Sequence, residues 1–369
     1  MSSAQKLQTL SIVRKAVFSL VAIALLSLPA TAQLFSVTWL VSDIPNVGTQ
    51  PTDPDLVNSW GIAASGAGPW WVADNGTGKL TLYDGTGAKQ GLIVDVPQWD
   101  MTPGGNPTGQ VFNSTQDFNL PNNKPAVFIV TTEDGTIQGW NGGTSTVIAV
   151  NQFPGSVYKG LVLGSANGAN YLYAANFRAG TVDVFDATFQ PHSFGPGTFV
   201  DNTLPQGYAP FNVANVGGNI VVSYALQNAE KHDDVKGIGH GFIDVYTSDG
   251  TLLQRLPHVN QLNSPWAMVV APATDWGNFS GKLLVGQFGS GAIIAYDLST
   301  NTLEGVLQDD AGLPLRLNGL WGLGFGNGAK SGSKTTLYFA AGYFDEAHGL
   351  FGTITVANNV LAHTQRGTK

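Results

Sequence analysis

The sequence predicts an all-β protein with the fold of a six-bladed β-propeller, in which each blade is a four-stranded antiparallel sheet. Three observations predict this fold. A β-rich unit recurs six times, glycine is abundant, and the strand that the last unit lacks is present at the start of the chain. Repeats of roughly 45 to 60 residues are typical of propeller blades.

The repeat is clearest where the second strand of each unit leads into the third. An apolar strand that usually ends on a polar residue is followed, after a turn, by a strand that usually ends on an aromatic residue next to Asp or Asn. The first unit has Trp71-Val72-Ala73-Asp74 before Leu80-Thr81-Leu82-Tyr83-Asp84, and five further copies follow. Six copies in succession indicate one closed array rather than separate domains.

Composition agrees with many short strands and tight turns. The 369 residues include 47 Gly and 19 Pro, and 43% of the chain is hydrophobic while 11% is charged. Glycine at this level without a collagen period suits turns between strands, and the hydrophobic content is enough for a large core. No segment after residue 33 keeps an apolar face at helical spacing for three turns, so we expect almost no helix.

Strand order predicts how the ring closes. The fifth unit has four strands, at 266–270, 282–286, 292–296 and 302–307, whereas the sixth unit lacks its fourth. The apolar strand at 35–41 precedes the first unit, and the segment after it resembles the link between units five and six. We expect this N-terminal strand to pair into the last blade and to remove the open sheet edge.

One face of the ring collects the unusual residues. In each blade, the link from the preceding outer strand and the link between the second and third strands lie on the same side, which we call the top face. The unusual residues on this face are the candidates for a functional site.

The chain divides into a signal peptide (1–32), one propeller domain (33–358) and a polar C-terminal tail (359–369). Lys6, Arg14 and Lys15 precede an apolar run from 16 to 28, and Ala30-Thr31-Ala32 offers a cleavage site before Gln33. The apolar run is too short for a permanent membrane helix. We expect export to the periplasm or the extracellular space, with no stable membrane insertion.

Charge and cysteine content narrow the function. The net charge of −8 becomes −11 once the three positive charges of the signal peptide are removed, which argues against nucleic acid as a partner. The chain has no cysteine, so disulfides, thiolate metal sites and cysteine nucleophiles are excluded.

Two insertions on the top face carry histidine and acidic residues. The fourth unit is interrupted at 227–240 and the sixth at 343–349. Together they supply His232, Asp233, His240 and His348, a ligand set suited to a divalent cation such as Ca, Mn or Zn. The alternative is a pair of solvated loops whose acidic groups bind their own backbone or nearby lysines, since no metal motif is present.

Glu133 comes just before an Asp-Gly hairpin turn, where a carboxylate at the channel mouth would act as a metal ligand or general base. With Asp74, Asn176 and Gln287 it would form a polar ring at the mouth. The alternative is that these polar ends bind neighbouring backbone NH groups and water.

Trp60, Trp266 and Trp321 recur at one position of the repeat, at the starts of inner strands. They would either pack between blades or, if exposed, form a stacking platform for a sugar or another planar ligand. Neither a nucleophile elbow nor a phosphate-binding glycine loop is present.

Several segments resemble a known family, exported bacterial six-bladed propellers of uncharacterised function, many of which carry a C-terminal PEP-CTERM sorting tail. The resemblance covers nearly all of the chain after the signal peptide; the segments that carry it are 58–62, 132–137, 157–160, 208–212, 231–235 and 348–352. The polar residues at 361–369 depart from the sorting tail, which favours a soluble product. The inner strands are also similar to NHL-type and gluconolactonase-like blades, a likeness of fold alone.

We therefore expect a monomeric binding or surface-associated protein whose partner is a small molecule, a glycan or an extracellular protein. The enzyme alternative is a metal-dependent hydrolase of the lactonase kind, with Glu133 or Asp74 as the base. A third possibility is a structural module of an extracellular matrix or surface complex.

Overall fold

The computed structural model of the protein describes residues 33–357. The predicted signal peptide and the predicted C-terminal tail lie outside the described residues. Within them the chain forms 24 strands in six four-stranded antiparallel sheets, the predicted blades. A single 3-10 turn, Gly277–Phe279, is the only helical element of this part of the chain, as the sequence predicts.

The strands follow one another in chain order. The first strand stands apart as β1 (Phe35–Ser42). Blade 1 contains β2 (Ser59–Ala64), β3 (Trp70–Asp74), β4 (Lys79–Tyr83) and β5 (Lys89–Asp95). Blade 2 contains β6 (Pro107–Phe112), β7 (Phe128–Thr132), β8 (Thr136–Trp140) and β9 (Val147–Asn151). Blade 3 contains β10 (Tyr158–Ala166), β11 (Ala169–Asn176), β12 (Thr181–Phe185) and β13 (Pro191–His192).

The remaining blades follow the same scheme. Blade 4 contains β14 (Tyr208–Val216), β15 (Asn219–Leu226), β16 (Phe242–Tyr246) and β17 (Leu252–Arg255). Blade 5 contains β18 (Pro265–Val270), β19 (Leu283–Gln287), β20 (Ile293–Asp297) and β21 (Thr302–Val306). Blade 6 contains β22 (Leu320–Phe325), β23 (Leu337–Tyr343) and β24 (His348–Val356), and its fourth strand is β1.

The N-terminal strand closes the ring, which confirms the prediction. β1 runs antiparallel to β24, with Phe35 opposite Val356 and Ser42 opposite Leu350. The Phe35 ring is fully buried and packs against Trp276 and Phe279 of blade 5, so the first strand also contributes to the core between blades. Pairing leaves no open edge between the two ends of the propeller.

Every inner strand carries a β-bulge near its start. The register with the second strand shifts between Ser59 and Ile62 in blade 1 and between Tyr158 and Gly160 in blade 3, with equivalent shifts in the other four blades. A bulge bends its strand and redirects a side chain. Here the six bulges redirect six equivalent side chains at the top of the central channel.

Glycines after the bulges let neighbouring inner strands approach closely. A Cβ on Gly61 would lie 2.4 Å from the Thr108 carbonyl oxygen of blade 2, and one on Gly322 would lie 2.5 Å from the Trp60 carbonyl oxygen of blade 1. The same close approach therefore holds blade 1 to blade 2 and blade 6 to blade 1, so the ring closes with the spacing it uses elsewhere.

Across residues 33–357 no helix is long and apolar enough to cross a membrane.

Candidate functional site

The six bulges place one side chain each at the top of the channel. These residues are Trp60, Thr108, Lys159, Phe211, Trp266 and Trp321. We call this layer the plug. The three tryptophans that recur in the sequence are therefore half of a six-membered set, and its one charged member is Lys159.

The plug is built by aromatic packing. The rings of Trp60 and Trp321 stack with centroids 3.7 Å apart, and Phe288 stacks on the other partner, Trp321, at the same distance. Trp266 meets both tryptophans edge-on. All three tryptophans are buried, with 5% exposure or less, so they fill the channel core and do not form an exposed stacking platform in this conformation.

Lys159 brings a buried charge into this layer. Its side chain is 3% exposed, and its ammonium donates to the carboxylate of Glu133 and lies 3.5 Å from that of Asp233. The ammonium also lies 5.2 Å from the centroid of the Trp60 ring. Burial alone would lower the pKa of Lys159, but the carboxylates of Glu133 and Asp233 outweigh it and raise the pKa. Lys159 is therefore a fixed cation at the centre of the mouth.

Glu133 is held from two sides. One carboxylate oxygen accepts from Lys159 and the other accepts from the Asn75 amide at 2.9 Å. Asn75 is its structural equivalent in blade 1, because the backbone NH groups of both residues donate to the carbonyl before an inner strand, at Asn58 and Asn106. The same backbone bond identifies Phe177 and Phe288 as the equivalents in blades 3 and 5.

The predicted polar ring therefore combines two registers. Asp74, Asn176 and Gln287 each precede the equivalent of Glu133 by one residue, and a one-residue step in a strand reverses the side-chain direction. The structure directs these three side chains away from Glu133.

The three displaced residues bond within their own blades or to adjacent backbone. Asn176 donates to Ser156 and Asp183, and its oxygen accepts from the NH groups of Val157 and Ala179. Gln287 accepts from the Asn263 NH and donates to the Val285 carbonyl. These contacts are the structural role that the sequence left open as the alternative.

Asp74 is fully buried inside blade 1. Thr81 donates to one of its carboxyl oxygens at 2.7 Å, and the other has no hydrogen-bond partner within the described chain. Burial raises the pKa of Asp74 well above its usual value. A group so enclosed does not reach the channel mouth, where the sequence had suggested it as a base.

The predicted histidine cluster is only partly brought together. His232 Nδ1 lies 2.8 Å from Asp233, whereas His240 Nδ1 bonds the Val235 carbonyl and His348 Nδ1 bonds Asp43. Instead, ligating atoms of Glu133, His232 and Asp233 lie within 4.8 Å of one another. The hydrogen bond from His232, together with the charge of Lys159, lowers the pKa of Asp233 to about 2.

The tautomer of His232 follows from this contact. An ionised carboxylate only accepts, so Nδ1 carries the proton and, in the neutral ring, Nε2 is left as an acceptor. His232 and Asp233 are half-exposed or exposed, and Glu133 is nearly buried, so the cluster connects the plug to the surface.

Glu346 is a mouth residue that the sequence interpretation missed. Asn58 donates to its carboxylate at 3.2 Å, and the Asn58 oxygen accepts from the Trp321 indole at 3.1 Å. Burial and the charge of Glu133 raise the pKa of Glu346. Phe344, Asp345 and Glu346 have consecutive positive φ angles of 52°, 50° and 66°, a strained conformation for residues with side chains.

Lys159 and Glu346 had weak signals in the sequence. Lys159 stands at the repeat position of Trp60 and Trp266, which would have identified it as a residue of the channel. Glu346 lies in an insertion whose backbone path the repeat does not predict.

A pocket of about 310 Å³ opens beside the cluster, between blades 2 and 3. We call it the mouth pocket. It is lined by Asn106, Glu133, Asp134, Phe153, Pro154, Ser156, Val157, Arg178 and His232. The Phe153 ring stacks on Trp99 at 4.0 Å, and both rings are about 40% exposed. Charged, amide and aromatic groups thus meet in a recess of ligand size.

The comparisons with known proteins show the fold and a family. No family model matches the chain. It resembles a solved streptogramin B lyase (TM-score 0.53, 13% identity, 89% of this chain and 99% of the lyase) and a soluble aldose sugar dehydrogenase from Escherichia coli (TM-score 0.55, 11% identity, 88% and 100%). At such identities these likenesses establish the propeller fold alone.

The sequence comparison gives a relative of the same length class. Uncharacterized protein R648 of Acanthamoeba polyphaga mimivirus is 30% identical over 333 residues, which cover 87% of this chain and 80% of the viral protein. The expected resemblance to bacterial propellers is thus supported in its fold, while the relative is viral. The chain belongs to the same family as the mimivirus protein R648.

Proposed function

We propose that the protein is an exported binding protein that takes a small polar molecule or a glycan in the mouth pocket. The proposal combines a rigid propeller with a recess in which aromatic surface and polar side chains converge. Such a combination orients a sugar-like ligand by ring contact and hydrogen bonds.

The observation that carries the proposal is the state of Arg178. Its guanidinium lines the mouth pocket, and in residues 33–357 its one hydrogen bond runs from Nη1 to the Pro154 carbonyl at 3.4 Å. A guanidinium has five N–H donors, so most of them are left for ligand oxygens. The neighbouring His232 adds an acceptor at Nε2.

The carboxylates of the mouth favour binding over hydrolysis. Glu133 already accepts from Lys159 and Asn75, so it is tied up by a fixed cation and an amide. A base that takes a proton must first lose these partners, which stabilise its ionised form.

A metal-dependent hydrolase is the second candidate, because Glu133, His232 and Asp233 have the donor atoms and spacing of a cation site. Donors of this set suit Mn or Zn, and a bound cation would polarise a carbonyl. The Lys159 ammonium lies among the same carboxylates, so a cation would have to displace it. This competition makes binding the preferred proposal.

The binding test compares two arginines. A glycan and small-molecule panel is applied to the full chain, and hits are titrated by calorimetry. Arg178→Gln lowers affinity at least about tenfold, the value of one charge-assisted hydrogen bond. Arg316→Gln is the matched control, because Arg316 also has a bond to a backbone carbonyl, that of Ser290, outside the mouth pocket. Equal affinity in all three proteins would refute the mouth pocket as the site.

The hydrolase candidate has its own test. The purified protein is assayed for bound metal and for lactone hydrolysis with added Ca, Mn or Zn, beside Glu133→Gln and His232→Ala variants. Turnover that depends on metal and is lost in both variants would replace the binding proposal. Absence of turnover, with no thermal shift on adding metal, leaves the binding proposal in place.

Export is proposed from residues 1–32 and is tested separately. The full chain is expressed in a bacterial host, and the N-terminus of the product outside the cytoplasm is sequenced. Export predicts a mature chain that begins at Gln33. A chain that remains in the cytoplasm and begins at Met1 or Ser2 contradicts it.

A further inference from the structure

We propose that the channel below the plug is a second binding site, which takes an uncharged and mainly apolar small molecule. This lower channel is a cavity of about 620 Å³, the volume of a typical ligand pocket. Inner strands of all six blades line it. Its wall consists of residues 61–62, 109–111, 161–162, 212–217, 266–270 and 322–323.

The lower channel has one closed end. Trp266, a member of the plug, lines its upper end and is buried. The wall then continues down to Val216 and Gly217 at the β14–β15 turn and to Val270 at the end of β18, which is 37% exposed. The cavity is therefore a blind recess that opens on the face opposite the mouth pocket.

Its wall carries no charge. None of the residues that line the lower channel is Asp, Glu, Lys, Arg or His. An ion entering the recess would lose hydration without gaining a partner, so charged ligands are disfavoured.

The polar side chains of the wall are occupied by the protein itself. The Gln110 amide donates to the carbonyls of Gly61 and Trp71, that of Asn212 donates to Trp266, and that of Asn215 donates to Leu163. Valine, leucine and isoleucine provide most of the remaining surface. One acceptor, Gln110 Oε1, has no hydrogen-bond partner within residues 33–357.

The ligand class follows from these features. Water in an apolar recess makes few hydrogen bonds, and apolar ligands replace it favourably. A single unpaired acceptor fits a ligand with at most one hydrogen-bond donor. An uncharged aromatic or alkyl compound with one N–H or O–H group meets both conditions.

The test uses N-phenyl-1-naphthylamine, an uncharged apolar fluorophore with one N–H donor. Fluorescence of the probe is titrated with the full chain, and we expect saturable enhancement at one probe per protein. Ala214→Phe fills the lower channel and lowers affinity at least tenfold. Ala329→Phe is the control, since Ala329 is exposed outside the channel. The proposal is overturned by non-saturable enhancement, or by full affinity in a folded Ala214→Phe variant.

A second variant decides the case if Ala214→Phe does not fold. Val269→Thr keeps the shape of a side chain in the wall while replacing a methyl group with a hydroxyl. A loss of affinity of about threefold supports the proposal, and an unchanged affinity overturns it. Because neither variant touches the mouth pocket, the result is independent of the proposed top-face ligand.

Discussion

The upper and lower parts of the channel are made by the same six strands but have opposite chemistry. At the mouth, Lys159 is surrounded by Glu133, Asp233 and Glu346 and is separated from solvent by the insertion at 227–240. Below the plug, the described wall residues are uncharged and the space is open. The difference shows that charge is placed where loops can supply partners, and that strands alone build the apolar part.

Removal of the Lys159 charge has the largest expected effect. Lys159→Met leaves Glu133 without its counter-ion in a nearly buried site, so we expect a loss of about 3–5 kcal/mol in the free energy of unfolding. Urea titration measures it. Lys282→Met, at a partly exposed pair with Asp297, should cost about 1 kcal/mol or less. Equal losses in the two variants would show that the mouth charge is as well solvated as a surface pair.

An isosteric change at Asn58 tests the hydrogen-bond network of the mouth. Asn58→Asp removes the donor that serves Asn75 and Glu346 and places a carboxylate beside another, so a loss of about 1–3 kcal/mol is expected. Asn263→Asp is the control, because the Asn263 oxygen accepts from the Gly237 NH and an aspartate keeps that role. Chemical denaturation compares the two; a greater loss in the control would contradict the network.

The pH dependence of stability sharpens the comparison through Glu346. Burial and the charge of Glu133 raise its pKa above 4.5, so folding favours the neutral carboxyl. This contribution is complete below about pH 4.5 and is lost as pH rises through the folded-state pKa. Relative to wild type, Glu346→Gln should therefore gain stability from pH 4 to pH 8, by up to about 1 kcal/mol. Thermal unfolding across this range, with the exposed Glu304→Gln as the charge control, would contradict it if both variants respond alike.

The smallest effect is expected in the lower channel. Val162→Thr adds a hydroxyl to a half-buried wall that water reaches, so stability should change by about 0.5 kcal/mol or less. Val222→Thr makes the same change in a fully buried core and should cost about 1–3 kcal/mol. Similar costs at both sites would mean that the lower channel is closed to solvent.

The fold could be predicted from the sequence because its signals repeat. Six copies of one strand pair fix the number of blades, and the strand missing from blade 6 points to residues 35–41. The observed β1, Phe35–Ser42, differs from that prediction by one residue. Period and hydrophobic alternation are local properties, so a single sequence contains them.

The mouth could be predicted only in part. Glu133 and the insertions were found because they depart from the repeat, but the grouping of Glu133 with Asp74 required the register of each strand to one residue. Bulges shift that register, and their position depends on packing against the next blade. The role of Lys159 likewise depends on long-range partners, since Glu133 and Asp233 approach it from other blades.

The pairing of β1 with β24 also sets the order in which the protein is able to fold. Phe35 and Val356 are partners although about 320 residues separate them in the chain. During synthesis the first strand has no partner until the last one has been made, and contacts of such long range form slowly. The two ends of the propeller therefore act as one latch. Loss of either terminal strand would expose the same edge of blade 6 and leave the ring open at the same point.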